Sequence, residues 1–193
     1  MRIAILCVIA SALLPAPGQA QVPVFEVTPV QSAIKFNVKA SVAIDGDFEK
    51  WNATLKFASQ DVTTGVLDIE IQAASVNTGS GMKNDKLRGK DFFDVKQNPL
   101  ITFKSTKVVQ TSPTTFDVAG TFTIRGVSKP ETLKLTVTGK GTGKGTIIGT
   151  MAFDRKDYGM TSGIPFIKIA DRVEVDVDLT AQQVSGPRLV YQQ

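Results

Sequence analysis

From Ile34 onward, apolar and polar residues take strict turns: Ile34, Phe36, Val38, Ala40 and Val42 on one side, Lys35, Asn37, Lys39 and Ser41 on the other. A period of two belongs to a strand with one wet face, because a helix returns to the same face only every three or four residues. The pattern recurs at Trp51, Ala53, Leu55 and Phe57, then at Leu67, Ile69, Ile71 and Ala73, and at Ile101 and Phe103. It continues through Phe116, Val118, Gly120, Phe122 and Ile124, then Leu133, Leu135 and Val137, then Ile147 to Phe153. The cleanest instance is last, with Val173, Val175, Val177 and Leu179 interleaved with Glu174, Asp176, Asp178 and Thr180. The chain is therefore all-β, with about eight strands.

Turn residues separate these runs. Asp45-Gly46-Asp47, Thr63-Thr64-Gly65, Ser112-Pro113-Thr114 and Gly139 to Gly145 each supply a hairpin connection. Strands joined this way are antiparallel. An eight-stranded meander that is wet on one face hides the other by folding into a sandwich or closing into an up-and-down barrel. Closure removes the exposed edges and leaves an interior that side chains fill or that holds one small ligand.

One connection is far longer than a hairpin. The 25 residues Ser75 to Pro99 contain Gly81 to Gly89, which suit a short helix, and the adjacent pair Phe92-Phe93, which requires burial. The segment is expected to cap one barrel end. A second irregular stretch, Tyr158 to Lys168, is expected to border an opening.

Residues 1–20 carry one charge at Arg2, an apolar run from Ile3 to Leu14, and small residues ending in Ala20. This is the layout of a cleaved secretory signal peptide, and Pro15 and Pro17 stop the run short of a membrane span. Cleavage predicts a single domain over 21–193, a periplasmic address, and no transmembrane segment in the mature chain. It also removes Cys7, the only cysteine, and lowers the net charge from +4 to +3.

The chain has no histidine. With no imidazole and no thiol in the mature chain, Ser-His-Asp or Cys-His nucleophiles and histidine-ligated metals are excluded. The small positive excess argues against nucleic acid as a partner. Glu174, Asp176 and Asp178 share one outward strand face, where pairing with basic neighbours is expected rather than catalysis. Gly139-Lys140-Gly141-Thr142-Gly143-Lys144-Gly145 lacks phosphate-loop spacing and a following helix, and reads as a hairpin tip.

Several segments together resemble the YceI-like family. They are Lys86 to Asp94 (KLRGKDFFD), Asn98 to Phe103 (NPLITF), Gly120 to Pro130 (GTFTIRGVSKP), Arg155 to Met160 (RKDYGM) and the opening strands Phe25 to Phe36. The resemblance covers nearly all of the mature chain in order. It implies an extended lipocalin-like antiparallel barrel, in the periplasm or secreted, that holds a polyisoprenoid or other long-chain lipid in its lumen. Gln31, Ala40 and Lys86 stand where relatives often carry histidine, so no role that needs imidazole carries over.

Within that resemblance, Phe36, Phe48, Trp51, Phe57, Phe103, Phe122 and Phe153 are the candidates to line a lumen, with Phe92 and Phe93 in its cap. Each taken alone is ordinary core. Arg88 and Arg155 are the candidate pair for an anionic headgroup, since a guanidinium offers a planar two-pronged donor. The expected function is non-enzymatic binding, storage or transport of a long-chain amphiphile, with no cofactor or metal. The alternative is a structural or interaction module of the cell envelope with a filled barrel. The oligomeric state is left open, a homodimer included.

Overall fold

A computed structural model describes residues 21–41, 44–163 and 169–192. The leader 1–20, Cys7, Val42 and the Ile164 to Lys168 part of the second irregular stretch lie outside the described residues. The described elements are β1 (Val24–Ala40), β2 (Ile44–Phe48), β3 (Trp51–Phe57), β4 (Gly65–Gln72) and β5 (Val76–Asn77), then α1 (Gly81–Arg88). After α1 come β6 (Leu100–Gln110), β7 (Thr115–Ile124), β8 (Val127–Val137), β9 (Lys144–Asp154) and β10 (Ile169–Ser185).

Eight strands close a ring in the order β1, β10, β9, β8, β7, β6, β4, β3, and β3 returns to β1 through Val24 and Lys56. Among the described residues every pairing between these strands is antiparallel, so the molecule is a closed eight-stranded barrel with one short α-helix. The two shortest strands are side pieces. β2 pairs with Lys35 to Val38 of β1, and β5 pairs with β2.

The alternation sets the faces. Ile34, Phe36 and Val38 of β1 meet Val177, Val175 and Val173 of β10 across the ladder, and five of these six are buried. Upstream the parity of β1 inverts. Between the pairs Thr28 with Thr180 and Ala33 with Asp178, β1 advances five residues while β10 advances two. The surplus bulges outward at Pro29 to Ser32, with Gln31 in the left-handed region at φ 64°. Thr180, 3 % exposed, pins the bulge: its N–H donates to Ser32 Oγ and its hydroxyl to the Gln31 carbonyl. Phe25 and Val27 thus face inward with odd numbers, whereas Ile34 and Phe36 do so with even ones.

Asp45-Gly46-Asp47, expected as a turn, lies inside β2. Its glycine serves a close approach instead, because a Cβ at Gly46 would sit 2.6 Å from the Asn77 carbonyl and 2.9 Å from the Phe36 ring. The expected helix and the other three hairpin connections fall where the pattern puts them.

Candidate functional site

The lumen holds two apolar chambers with no lining residue in common. The helix-end chamber, about 70 Å³, is lined by strand residues that include Phe36, Phe48, Phe122 and Phe153, and is covered by Leu87, Phe92 and Phe93. The hairpin-end chamber, about 100 Å³, lies between Phe25, Leu55, Phe57, Phe116 and Leu135 under the β8–β9 tip and the C-terminal tail. Between them runs a belt of buried Ile69, Phe103, Leu133, Met151, Val177 and Leu179, which line neither chamber. Gly120 makes the belt tight: a Cβ there would meet the Phe103 ring at 2.6 Å and the Lys104 carbonyl at 2.7 Å.

The helix end is built from stacked rings and arginine clasps. Phe48 stands 5.6 Å from Phe36 and 6.0 Å from Phe93, centroid to centroid. Phe122 and Phe153 are 5.1 Å apart, and both meet Tyr158 edge-on. Tyr158 is fully buried, and its hydroxyl donates to Glu131 Oε1 at 3.0 Å. Burial first, and that bond second, push its phenol well above the ordinary value.

Arg88 donates to the carbonyls of Ala74 (2.8 Å) and Val76 (3.1 Å), tying α1 to the chain after β4. Arg125, at the β7–β8 turn with φ 54°, reaches across to the carbonyls of Gly159 (2.6 Å) and Lys90 (2.9 Å). Arg155, 6 % exposed, donates to the carbonyls of Ala170, Met160 and Ser162 and to the Asp171 carboxylate at 3.1 Å. A hydrogen bond from Lys156 is the main reason that the Asp171 carboxyl is held below its usual range. Lys86 does the same for Asp91 at 2.7 Å.

The structure sorts the sequence candidates. Phe36, Phe48, Phe92, Phe93, Phe122 and Phe153 converge on the helix-end chamber, and Phe57 lines the other. Phe103 does not line a chamber; it belongs to the belt, its ring lying against Gly120, two residues from its cross-strand partner Phe122. Trp51 lines neither chamber. It borders an outer cleft beside Pro29, Lys50 and Leu100, where β1 and β3 part and β2 ends.

The arginine pair is not one site. Arg155 touches the helix-end chamber but grips main-chain carbonyls, and Arg88 does not reach the chamber. Lys86 is paired with Asp91.

Of the hairpin-end wall, sequence reading names Phe57 and misses Phe25, Leu189 and Tyr191. Phe25 escaped because the bulge inverts parity, and Leu189 and Tyr191 because a two-residue alternation in a short tail is too brief to stand out. That tail is nonetheless fixed. Val190 exchanges backbone bonds with Gln60 and Val62, and Gln192 with the Gln110 side chain.

The family described as YceI-like domain matches residues 25–181. A protein of Pseudomonas syringae pv. tomato named UPF0312 protein is 30% identical over 146 residues, covering 73% of either chain. Among solved structures, Burkholderia cenocepacia BcnA is similar with a TM-score of 0.73 and 28% identity, over 80% of this chain and 99% of that one. A Saccharophagus degradans domain described as polyisoprenoid-binding and implicated in plant cell wall breakdown shares the fold. Its TM-score is 0.68 at 18% identity, over 83% of this chain and 99% of that one.

Proposed function

The chain belongs to the YceI-like domain family, and on that premise we propose that it is a non-enzymatic holder of a long-chain amphiphilic lipid, isoprenoids included, whose apolar chain lies in the lumen. The observation that carries this reading is the pair of apolar chambers at the two ends of one barrel. The polyisoprenoid-binding description of a protein with the same fold supports it. Each methylene moved from water into such a chamber gains about 0.8 kcal/mol, so a five-carbon isoprene unit gains roughly 4 kcal/mol.

Volume decides what must move. An apolar cavity of about 150 Å³ takes a benzene ring, and each chamber here is smaller. A chain of more than a few carbons therefore enters by parting the belt. Turning one side chain off its rotamer costs about 0.5–1.5 kcal/mol, less than one isoprene unit returns, so a prenyl chain can displace the Phe103 ring. In this reading residues 1–20 are removed on export and the mature chain works in the periplasm.

The packed belt is also what favours the second reading, a filled barrel acting as an interaction module of the cell envelope. Purified mature protein, extracted and analysed by mass spectrometry, separates the two. Stoichiometric lipid, or uptake of added prenyl lipid, is expected. A protein that carries none and takes up none is a filled barrel.

A further inference from the structure

The helix end has its arginines engaged with the chain itself; Arg188 at the hairpin end is not. No residue lining the hairpin-end chamber is an Asp or Glu, whereas Lys144 and Arg188 stand among its lining residues. Neither the Arg188 guanidinium nor the Lys144 ammonium has a hydrogen-bonding or ionic partner among the described residues. Lys140 adds a third positive charge at the same rim, its ammonium 4.4 Å from the centroid of the Tyr191 ring.

The rim is also open where a headgroup would sit. A Cβ built at Gly141 or Gly143 meets nothing within 4 Å, although the tip is anchored below by the Gln183 N–H on the Gly143 carbonyl at 2.6 Å. Unopposed cations beside a low-dielectric wall focus their field on that opening and concentrate anions there. The apolar wall selects against small hydrophilic anions, which gain nothing from it.

We propose that the hairpin end is the mouth of the lumen, and that it seats an amphiphile with a single anionic head, carboxylate or phosphate. Arg188 and Lys144 hold the head, and the first carbons lie between Phe25, Phe57, Leu135 and Tyr191. This rests on the lipid-holding reading and adds to it the end of the barrel and the charge of the ligand.

The test is calorimetric titration of the mature protein with dodecyl phosphate, dodecanoate, dodecanol and inorganic phosphate, each amphiphile kept below its micelle concentration. It is repeated with the double variant Arg188→Gln, Lys144→Gln, whose thermal midpoint should match that of the parent because both side chains are exposed. The variant should bind the two anionic probes about tenfold more weakly and dodecanol unchanged, and the anionic preference of the parent should shrink with added salt. Equal binding of all three amphiphiles by parent and variant overturns the proposal while leaving lipid holding intact. Inorganic phosphate that binds as tightly as dodecyl phosphate overturns it in favour of a free-anion site. If no amphiphile binds the parent, lipid holding itself fails, and this inference with it.

Discussion

At the helix end, Arg88 and Arg125 each hold two main-chain carbonyls and Arg155 holds three, fastening the cover from different sides. At the hairpin end, Arg188 holds nothing among the described residues and the cover is a glycine-rich tip with a short tail laid across it. The same side-chain chemistry is structural where carbonyls converge, and available for a ligand where the neighbours are apolar. Positive charge in the sequence does not separate the two cases, because the deciding partners are main-chain atoms distant along the chain.

The sharpest way to break this contrast is to remove one arginine from each end. Arg155→Ala leaves three carbonyls without that donor and the Asp171 carboxylate with Lys156 alone, and should lower stability by about 3 kcal/mol or more, at about 1–3 kcal/mol for each buried acceptor left unpaired. Arg188→Ala should stay within about 0.5 kcal/mol. Urea midpoints measure both, and similar losses would erase the distinction.

A smaller effect probes what lies between the ends. Gly120→Ala forces its Cβ against Phe103 and the Lys104 backbone, so about 1–3 kcal/mol should be lost. Because that methyl also blocks the path of the Phe103 ring, binding of twenty-carbon prenyl alcohols should weaken more than binding of octanol. Equal weakening would mean that the chambers are filled separately.

Smaller still is Arg125→Gly. The glycine relieves the left-handed backbone, so what remains is the loss of the two carbonyl bonds, a net of about 1 kcal/mol. Amide exchange should quicken over residues 81–98 and not over 138–145. Acceleration at both ends would show one cooperative cover rather than two.

The least effect is expected from pH. With no histidine in the chain, no unperturbed side chain titrates between about pH 5 and 8, and the thermal midpoint should be flat there. Asp91 and Asp171 have depressed pKa values. Their contribution is therefore fully present above the ordinary carboxylate value, about 3.9, and is lost as pH falls through the depressed values. Asp61, held low first by the Thr63 backbone N–H, adds the same dependence beside the C-terminal tail, so both ends should loosen in acid, visible as earlier exchange over residues 59–64 and 81–98.

Much of the barrel was legible because period two reports a sheet face directly. Leu133 and Leu135, Val177 and Leu179 are buried as their alternation requires. What a side chain does once inside was not legible. Phe103 and Phe122 are cross-strand neighbours with equivalent patterns, yet one packs in the belt and the other lines a chamber, because the absence of a Cβ at Gly120 leaves room for the Phe103 ring. Arg88 and Arg155 stand out in the sequence by their charge, and the carbonyls that engage them are set by the fold. Trp51 alternates correctly but sits where the wall parts, a break created because β1 pairs with β3 at Val24 and with β2 instead from Lys35 on.

The bulge at Pro29 to Ser32 has a consequence for how such chains can change length. It acts as a phase shifter between two halves of one strand, since an odd surplus exchanges inward and outward positions. Insertions or deletions of two residues there preserve the phase, whereas a change of one turns Phe25 and Val27 outward and exposes the wall of the mouth. Length variation in this segment should therefore come in steps of two, making the bulge a counting device written into the backbone.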